Sequence, residues 1–437
     1  MKGIPPVILG LTLLVCLARS MAGDVSLTVI RAEGPPKIDG KLDDACWRGK
    51  ARITDFRLVR PKGAKPTQRT AAWVAADEDA LYVAVRCEDD RMDMVPAEVI
   101  GHDGHVWKDD CIEIFLMPHG PFYYHFGANL IGTRYDGRVD SRVSLRDQKP
   151  EAWDAVWRSV SQRAADHWTM EIAIPFACLE MGPEACDAPI RFNLGREQRR
   201  LTEFSCWPAT GFHAYKEYAA LDGLNLDKRR YGLVLGDVDT GRQAAGENRF
   251  TAVIAEEPAP GMAMTCRATV RHSAGARAEV TQETLRSAKG DKIGLAYSVP
   301  FDPGHATVVV ECLDERGRVR TSVADVFRVP AVLEAELDLP IVYRSDEEAR
   351  VTGSALLEKT LLGRAGCELR LMSDRRIVST RQAPVDEETG AIRGSIPIAG
   401  LDPGRYVVEA RLTVPDLRED PFVVRLHLRI VRGPLND

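Results

Sequence analysis

The second half of the chain has no tryptophan. All seven tryptophans lie between Trp47 and Trp207 of the 437 residues, while aromatic residues as a class make up 7% of the sequence. This asymmetry predicts that the N-terminal part and the C-terminal part of the protein have different roles.

The spacing of cysteine and histidine that builds a zinc site is also missing. Ten cysteines are present, but none forms a Cys-x-x-Cys pair or a Cys/His cluster. Two disulfides are possible: Cys178 with Cys186, and Cys266 with Cys312. The alternative is that several of the cysteines are unpaired, buried apolar residues.

A basic excess is absent as well. The formal net charge is −6, 28% of the residues are charged, and no block of like charge occurs. Nucleic-acid-binding proteins leave a basic footprint, so the composition argues against a nucleic-acid partner. No apolar run after the N-terminus is long enough for a membrane span.

The first 22 residues have the features of a signal peptide. Met1-Lys2 is a short positive start, and the apolar run 7–18 is too short to cross a bilayer. Small residues at Ser20 and Ala22 suit a cleavage site. We therefore expect an exported protein that is secreted, periplasmic or at the cell surface.

The remaining chain is predicted to be all-β. Short strands with turn signals between them run through residues 24–239, without long runs of 3.6-residue period, as in an antiparallel β-sandwich. Residues 240–247 are polar and contain glycine, which indicates a linker. Two further strand-rich segments, 248–330 and 331–437, are predicted to be immunoglobulin-like β-sandwiches, the second because a Pro-Gly turn precedes Tyr406 as in a tyrosine corner. These modules are expected to act as spacers or to dock a protein partner.

One strand carries the first functional signal. In the stretch 105–116, Ile112, Ile114 and Leu116 share one face, because side chains alternate along a strand. Trp107 and Glu113 fall on the other face. An aromatic ring and a carboxylate on the outward face of a strand are suited to binding a sugar. The ring can stack on the C–H groups of the sugar, and the carboxylate can accept hydrogen bonds from its hydroxyl groups. Neighbouring strands add polar positions to that face: Tyr123, His125, Asn129, Arg191 and Asn193.

Six motifs in order resemble the family 9 carbohydrate-binding modules and their DOMON-like relatives. They span about 200 residues in the N-terminal half. In chain order they lie at residues 37–47, 77–89, 106–116, 129–136, 168–176 and 192–208.

The resemblance implies a β-sandwich that binds a polysaccharide or oligosaccharide, often at a chain end, between two tryptophans. Carried over by position, Trp107 and Trp207 form this pair. Glu113, Arg134 and Asn193 take hydroxyl groups, with Asn129 beside them. The family can also hold structural calcium, for which the resemblance offers Asp77, Asp79 and Asp89 as oxygen ligands.

Three other functions compete with glycan binding. A glycoside hydrolase needs two carboxyl groups that flank a bond, and Asp109, Asp110 and Glu113 are too close along one strand to do so. A haem-binding DOMON-like electron-transfer domain would take a methionine with a histidine or lysine; the candidates are Met92, Met94, Met117, His125 and His213. An adhesion or scaffold protein without a small ligand would also suit the trailing modules. We expect a non-catalytic glycan-binding protein.

Overall fold

The computed structural model describes residues 25–433 apart from 50, 51, 274, 276–280, 287 and 416. The signal peptide expected at 1–22 lies outside the described residues. Within the described part, the strands form six β-sheets, and no helix is long and apolar enough to cross a membrane. The protein is therefore all-β, as the strand pattern predicts.

In the part of the chain that the structure describes, the first module contains thirteen strands. In chain order they are β1 (Ser26–Thr28), β2 (Ile30–Arg31), β3 (Arg57–Leu58), β4 (Thr70–Ala76), β5 (Ala80–Glu88), β6 (Cys111–Met117), β7 (Phe122–Asn129), β8 (Arg134–Asp140), β9 (Arg158–Arg163), β10 (His167–Pro175), β11 (Arg191–Gln198), β12 (Glu203–Trp207) and β13 (Ala219–Asp222). Helix α1 (Pro183–Cys186) lies between β10 and β11, and helix α2 (Lys228–Tyr231) follows β13. Single 3₁₀ turns lie at Ala45–Trp47, Met92–Met94, Val106–Lys108, Leu145–Asp147, Pro150–Ala152, Phe176–Cys178 and Tyr215–Glu217.

These strands form two sheets that pack face to face. The larger sheet has the order β1-β13-β11-β6-β7-β8, with β12 and β3 attached to β11, and the smaller has the order β2-β4-β5-β10-β9. All pairs are antiparallel except β1 with β13 and β2 with β4. The core between the sheets takes the apolar face of β6, where Ile112, Ile114 and Leu116 are fully buried. Burial of each such side chain contributes about 1.5–3 kcal/mol.

The second module begins earlier than the sequence suggests. Its strands are β14 (Val234–Asp239), β15 (Gly246–Glu256), β16 (Ala263–His272), β17 (Thr281–Arg286), β18 (Lys292–Val299), β19 (Gly304–Leu313) and β20 (Val319–Val329). They form sheets of three and four strands around one core. Because β14 pairs with β15, the segment expected to be a linker, 240–247, includes a hairpin connection inside this module. Residues 234–239 thus leave the first module.

The third module is a sandwich of a three-stranded and a five-stranded sheet. Its strands are β21 (Leu333–Leu337), β22 (Ile341–Tyr343), β23 (Glu348–Ala355), β24 (Gly366–Ser373), β25 (Arg376–Ala383), β26 (Ala391–Pro397), β27 (Gly404–Thr413) and β28 (Phe422–Val431), with helix α3 (Lys359–Leu362). The Tyr406 hydroxyl donates to the carbonyl of Asp402 at 2.9 Å, which is the hydrogen bond of a tyrosine corner. The immunoglobulin-like class of both trailing modules stays a prediction.

The two candidate cysteine pairs have different surroundings. Cys266 and Cys312 face each other on β16 and β19, with sulfur atoms 3.1 Å apart in the buried core of the second module. The thiol of Cys178 instead donates to the carbonyl of Pro175 at 3.0 Å. The geometry therefore favours the pair in the second module as the disulfide candidate.

Candidate binding site

The outward face of the larger sheet has an open space around Glu113. In the sheet register, Glu113 on β6 lies between Gly127 on β7 and Gly195 on β11. Neither neighbour has a side chain, so the carboxyl group of Glu113 has room on both sides.

The same two glycines allow two loops to pack closely against the sheet. A Cβ atom at Gly127 would lie 2.8 Å from Cγ2 of Val106, and one at Gly195 would lie 2.7 Å from Cε1 of Phe212. Both contacts are shorter than packed carbon atoms tolerate, so only glycine allows the two loops to pack this closely. The loops carry Trp107 and Phe212 to opposite sides of Glu113.

Sheet and loops enclose a cavity of about 410 Å³ that opens to solvent. This volume falls in the range of small-ligand sites, roughly 300–1,000 Å³. Glu113 and His125 are among the most deeply buried residues that line it. Its other principal lining residues are Trp107, Tyr135, Glu197, Phe212, His213, Asp103 and Glu151.

Two carboxyl groups lie next to each other in this cavity. Glu113 and Glu197 are both buried and lie within hydrogen-bonding contact of one another. Oε1 of Glu113 receives no hydrogen bond from a protein donor, whereas Oε2 of Glu197 forms an ion pair with Nη2 of Arg199. Burial raises the pKa of both groups, and the charge of Glu113 raises the pKa of Glu197 further. A proton shared between the two carboxyls satisfies both oxygens.

His125 adds a neutral ring to the cavity. Its Nε2 atom lies 2.7 Å from Oε2 of Glu113, and its ring stacks on Phe115 with centroids 4.3 Å apart. Burial lowers the pKa of His125 to about 3. The imidazole is therefore uncharged near neutral pH and does not neutralise the carboxyl pair.

Aromatic rings form the sides of the cavity. Trp107 is half-buried; its ring centroid lies 4.9 Å from that of Tyr135 at an interplanar angle of 81°, and 4.9 Å from that of His105 at 17°. Its backbone carbonyl accepts a hydrogen bond from Arg199. The tryptophan is thus held in place beside the carboxyl pair.

Asn129 and Asn193 share the sheet face of Glu113 but hold loops. Nδ2 of Asn129 donates to the carbonyl of Val99 at 2.9 Å and to Asp109 at 2.8 Å. Nδ2 of Asn193 donates to the carbonyls of Gly211 and Phe212 at 3.3 and 3.2 Å. Neither side chain lines the cavity, so each positions a loop that forms part of its wall.

Arg134 and Trp207 lie on the opposite face of the sheet. Arg134 pairs with Ala128, and Trp207 pairs with Leu194; both partners point into the core. Arg134 donates to the carbonyl of Trp157, and Trp207 packs against the core. The structure therefore separates Trp207 from Trp107, and these two rings do not face each other across the cavity.

The three aspartates named for calcium do not come together. Asp77 accepts from the amides of Asp79 and Ala80 at 2.7 and 2.9 Å at one end of β5. Asp89 follows the other end, where it accepts from Gln198 at 2.7 Å. Nine residues of strand span about 30 Å, so the three carboxylates cannot share one ion. Structural calcium stays a prediction.

Another group of side chains has the composition of a metal site. Within the described residues, His102, Asp103 and Asp136 place ligand atoms within 4.8 Å of one another. Both oxygens of Asp136 already accept hydrogen bonds, from Ala155 at 2.6 Å and Trp157 at 2.8 Å. Nε2 of His102 lies 2.6 Å from Oδ1 of Asp154. The group is satisfied by protein partners alone.

The residues considered for haem are dispersed. His125 and His213 line the cavity, but none of the described lining residues is a methionine. Met92 is buried in the core, Met94 is exposed, and Met117 packs against the aromatic cluster that includes Phe115. The cavity lining therefore offers no methionine–histidine ligand pair.

Sequence reasoning missed several cavity residues. Glu197 follows Asn193 and Gly195 on the same face of β11, so the alternation extended by four residues would have found it. Tyr135 was available from the same alternation on β8. Phe212 and Glu151 lie in loops, where no periodic pattern exists to identify them.

The fold of the first module is a two-sheet β-sandwich with a cavity on one outer face. Residues 38–194 match the family described as carbohydrate family 9 binding domain-like, so the first module is a domain of that type.

Several solved structures are similar to the chain at low identity. A Bacteroides uniformis protein is 18% identical, covering 45% of this chain and 98% of its own, with a TM-score of 0.34. A family 9 carbohydrate-binding module of Caldicellulosiruptor kristjanssonii in complex with cellotriose is 14% identical, covering 44% and 91%, with a TM-score of 0.31. The module from that organism in complex with glucose is 15% identical, covering 46% and 98%, with a TM-score of 0.31. No curated protein matches the chain.

Proposed function

We propose that the first module binds a glycan, at a chain end, in the cavity over Glu113. The observation that carries this proposal is an open cavity on the outer face of the sheet, lined by the carboxyl groups of Glu113 and Glu197 and by aromatic rings, among them that of Trp107. Sugar hydroxyls are donors, and a hydrogen bond to a charged acceptor is worth about 1.5–3 kcal/mol. The half-buried ring of Trp107 offers an apolar surface for sugar C–H groups.

We propose a binding role rather than a catalytic one. Glycoside hydrolysis uses carboxyl groups about 5–5.5 Å apart for retention and roughly 6.5–9.5 Å apart for inversion. Glu113 and Glu197 lie in hydrogen-bonding contact instead, which leaves no space for a glycosidic bond between them. As part of the same proposal, the N-terminal segment directs export of the protein. The two trailing modules act as spacers or dock a protein partner.

Calorimetric titration with oligosaccharides tests the function. We expect the wild-type protein to bind at least one class of soluble glycan, and Trp107→Ala to lower its affinity at least tenfold, or about 1.4 kcal/mol. The matched control is Tyr343→Ala, which removes an exposed ring from the third module and should leave affinity unchanged. Circular dichroism confirms that each variant folds. Absence of binding across a glycan array, or unchanged affinity in Trp107→Ala, would contradict the proposal.

A further inference from the structure

One arginine contacts the wall of the cavity without lining it. Arg199 follows the end of β11, and its side chain is 31% exposed. It is not among the described residues that line the cavity. Two residues that do line the cavity, Trp107 and Glu197, both contact this one side chain. Arg199 can therefore influence the cavity only through its neighbours.

The guanidinium group of Arg199 bridges two elements of the wall. Its Nη2 atom forms the ion pair with Oε2 of Glu197 on β11. Its Nε atom donates to the backbone carbonyl of Trp107, which lies in the 3₁₀ turn before β6. A guanidinium presents its N–H donors in a rigid planar fork. One side chain thus fixes the distance between a carboxyl group of the cavity and the turn that carries the indole ring.

Two further contacts hold Arg199 itself in place. Its backbone amide donates to Oδ1 of Asp110 at 2.8 Å. Its guanidinium lies 4.5 Å from the centroid of the Phe204 ring on β12, a distance at which a cation is attracted to an aromatic face. Because Asp110 and Trp107 belong to the same connection before β6, Arg199 holds that connection at two points.

Arg199 also determines the charge beside the carboxyl pair. Burial raises the pKa of Glu113 and of Glu197, and the positive charge of Arg199 acts in the opposite direction on both pKa values. His125 does not share this effect, because burial lowers its pKa to about 3 and leaves the ring neutral. The bridge therefore has an electrostatic part and a geometric part.

We propose that Arg199 is the positioning residue of this site, which holds the ring of Trp107 and the carboxyl group of Glu197 in the relative placement that a sugar meets. The inference rests on the proposed glycan-binding function and adds a residue that acts without touching the ligand. The geometric part requires the fork of a guanidinium. A lysine presents its donors from a single nitrogen, so it keeps the charge and loses the geometry.

Calorimetric titration of Arg199 variants tests the inference. The probes are cellotriose, xylotriose, mannotriose and any oligosaccharide that the wild-type protein binds on a glycan array. We expect Arg199→Met to lower affinity about tenfold and Arg199→Lys to lower it roughly fivefold, because lysine restores the charge alone. The matched control is Arg163→Met, at an exposed arginine on β9 of the smaller sheet, which should bind as wild type does.

A double-mutant cycle with Trp107 separates positioning from a merely structural role. Residues that act through one another give non-additive effects. Arg199→Met should therefore lower affinity by a smaller factor in the Trp107→Ala background, where the ring to be positioned is absent. General loosening of the module would lower affinity by the same factor in both backgrounds. Circular dichroism confirms folding, and Arg199→Lys serves in the same cycle if Arg199→Met fails to fold.

The outcomes distinguish this inference from the proposed function. Unchanged affinity in Arg199→Met, full rescue by Arg199→Lys, or equal losses in the two backgrounds overturns the role of Arg199 and leaves the glycan-binding function standing. Absence of binding of the wild-type protein to every glycan overturns both.

Discussion

Glu113 shows how one buried side chain is held in an unfavourable environment. It is 2% exposed, its hydrogen-bonding contact is another carboxyl group, and its histidine neighbour is uncharged near neutral pH. Burial raises the pKa of Glu113 above that of the unfolded chain. Binding sites often contain such groups. Folding does not recover the free energy that is lost when the carboxyl group is buried, and a bound ligand can compensate for it.

Replacing Glu113 with glutamine should change how stability depends on pH. Above about pH 4.3, the usual carboxyl pKa, the unfolded chain releases the proton that folded Glu113 retains. The stability of the wild-type protein therefore falls as the pH rises through the raised pKa of the folded state. We expect the free energy of unfolding of Glu113→Gln, relative to wild type, to increase between pH 5 and pH 9. Urea denaturation at pH 5, 7 and 9 measures it, and a pH-independent difference would contradict the assignment.

At the scale of the strand, glycine determines where the cavity lies. Gly127 and Gly195 flank Glu113 in the register. A loop side chain packs against each glycine so closely that a Cβ atom there would clash with it. The same sheet face elsewhere is filled by Phe115, Tyr123 and Tyr218, which pack on one another. Two missing side chains thus convert a packed face into a concave one.

Gly195→Ala should displace the ring of Phe212 from the cavity wall. The added Cβ would lie 2.7 Å from that ring, and overpacking of this kind costs about 1–3 kcal/mol. We expect glycan affinity to fall roughly fivefold, which corresponds to about 1 kcal/mol, the lower end of that range. Gly366→Ala is the control, because a Cβ there meets no atom within 4 Å. Unchanged affinity in Gly195→Ala would show that Phe212 does not shape the site.

At the scale of the whole molecule, the second module supports a wall of the cavity. Asp154 is 6% exposed; its Oδ2 atom accepts from the amide of Val326 on β20 at 2.8 Å, and its Oδ1 atom lies 2.6 Å from Nε2 of His102. The 3₁₀ turn Pro150–Ala152, which immediately precedes this anchor, contributes Glu151 to the lining. The first two modules are therefore connected at the edge of the cavity.

Asp154→Ala should weaken both this connection and the site. It leaves the amide of Val326 without its acceptor, and an unsatisfied buried donor costs about 1–3 kcal/mol. We expect a lower unfolding midpoint and reduced glycan affinity. Asp147→Ala, at an exposed position in the same loop, should alter neither. Loss of stability with full retention of affinity would place the anchor outside the function of the site.

The amino-acid sequence is sufficient to predict which side of a strand faces the core. Alternation along β6 separated Ile112 and Ile114 from Glu113, and six ordered motifs identified the family of the first module. These inferences hold because the period of two is a local property of the extended backbone.

Which residues contact one another depends on the packing of the whole module. The strand register places Trp207 opposite Leu194. It also places Arg134 opposite Ala128, so both side chains lie on the core face. In the same register, Gly195 rather than Asn193 lies beside Glu113. It also brought Glu197 to Glu113 and the loop residue Phe212 over both. Strand pairing is set by long-range packing, and a shift of one residue reverses every side chain. A local pattern therefore gives the face of a residue but not its neighbours.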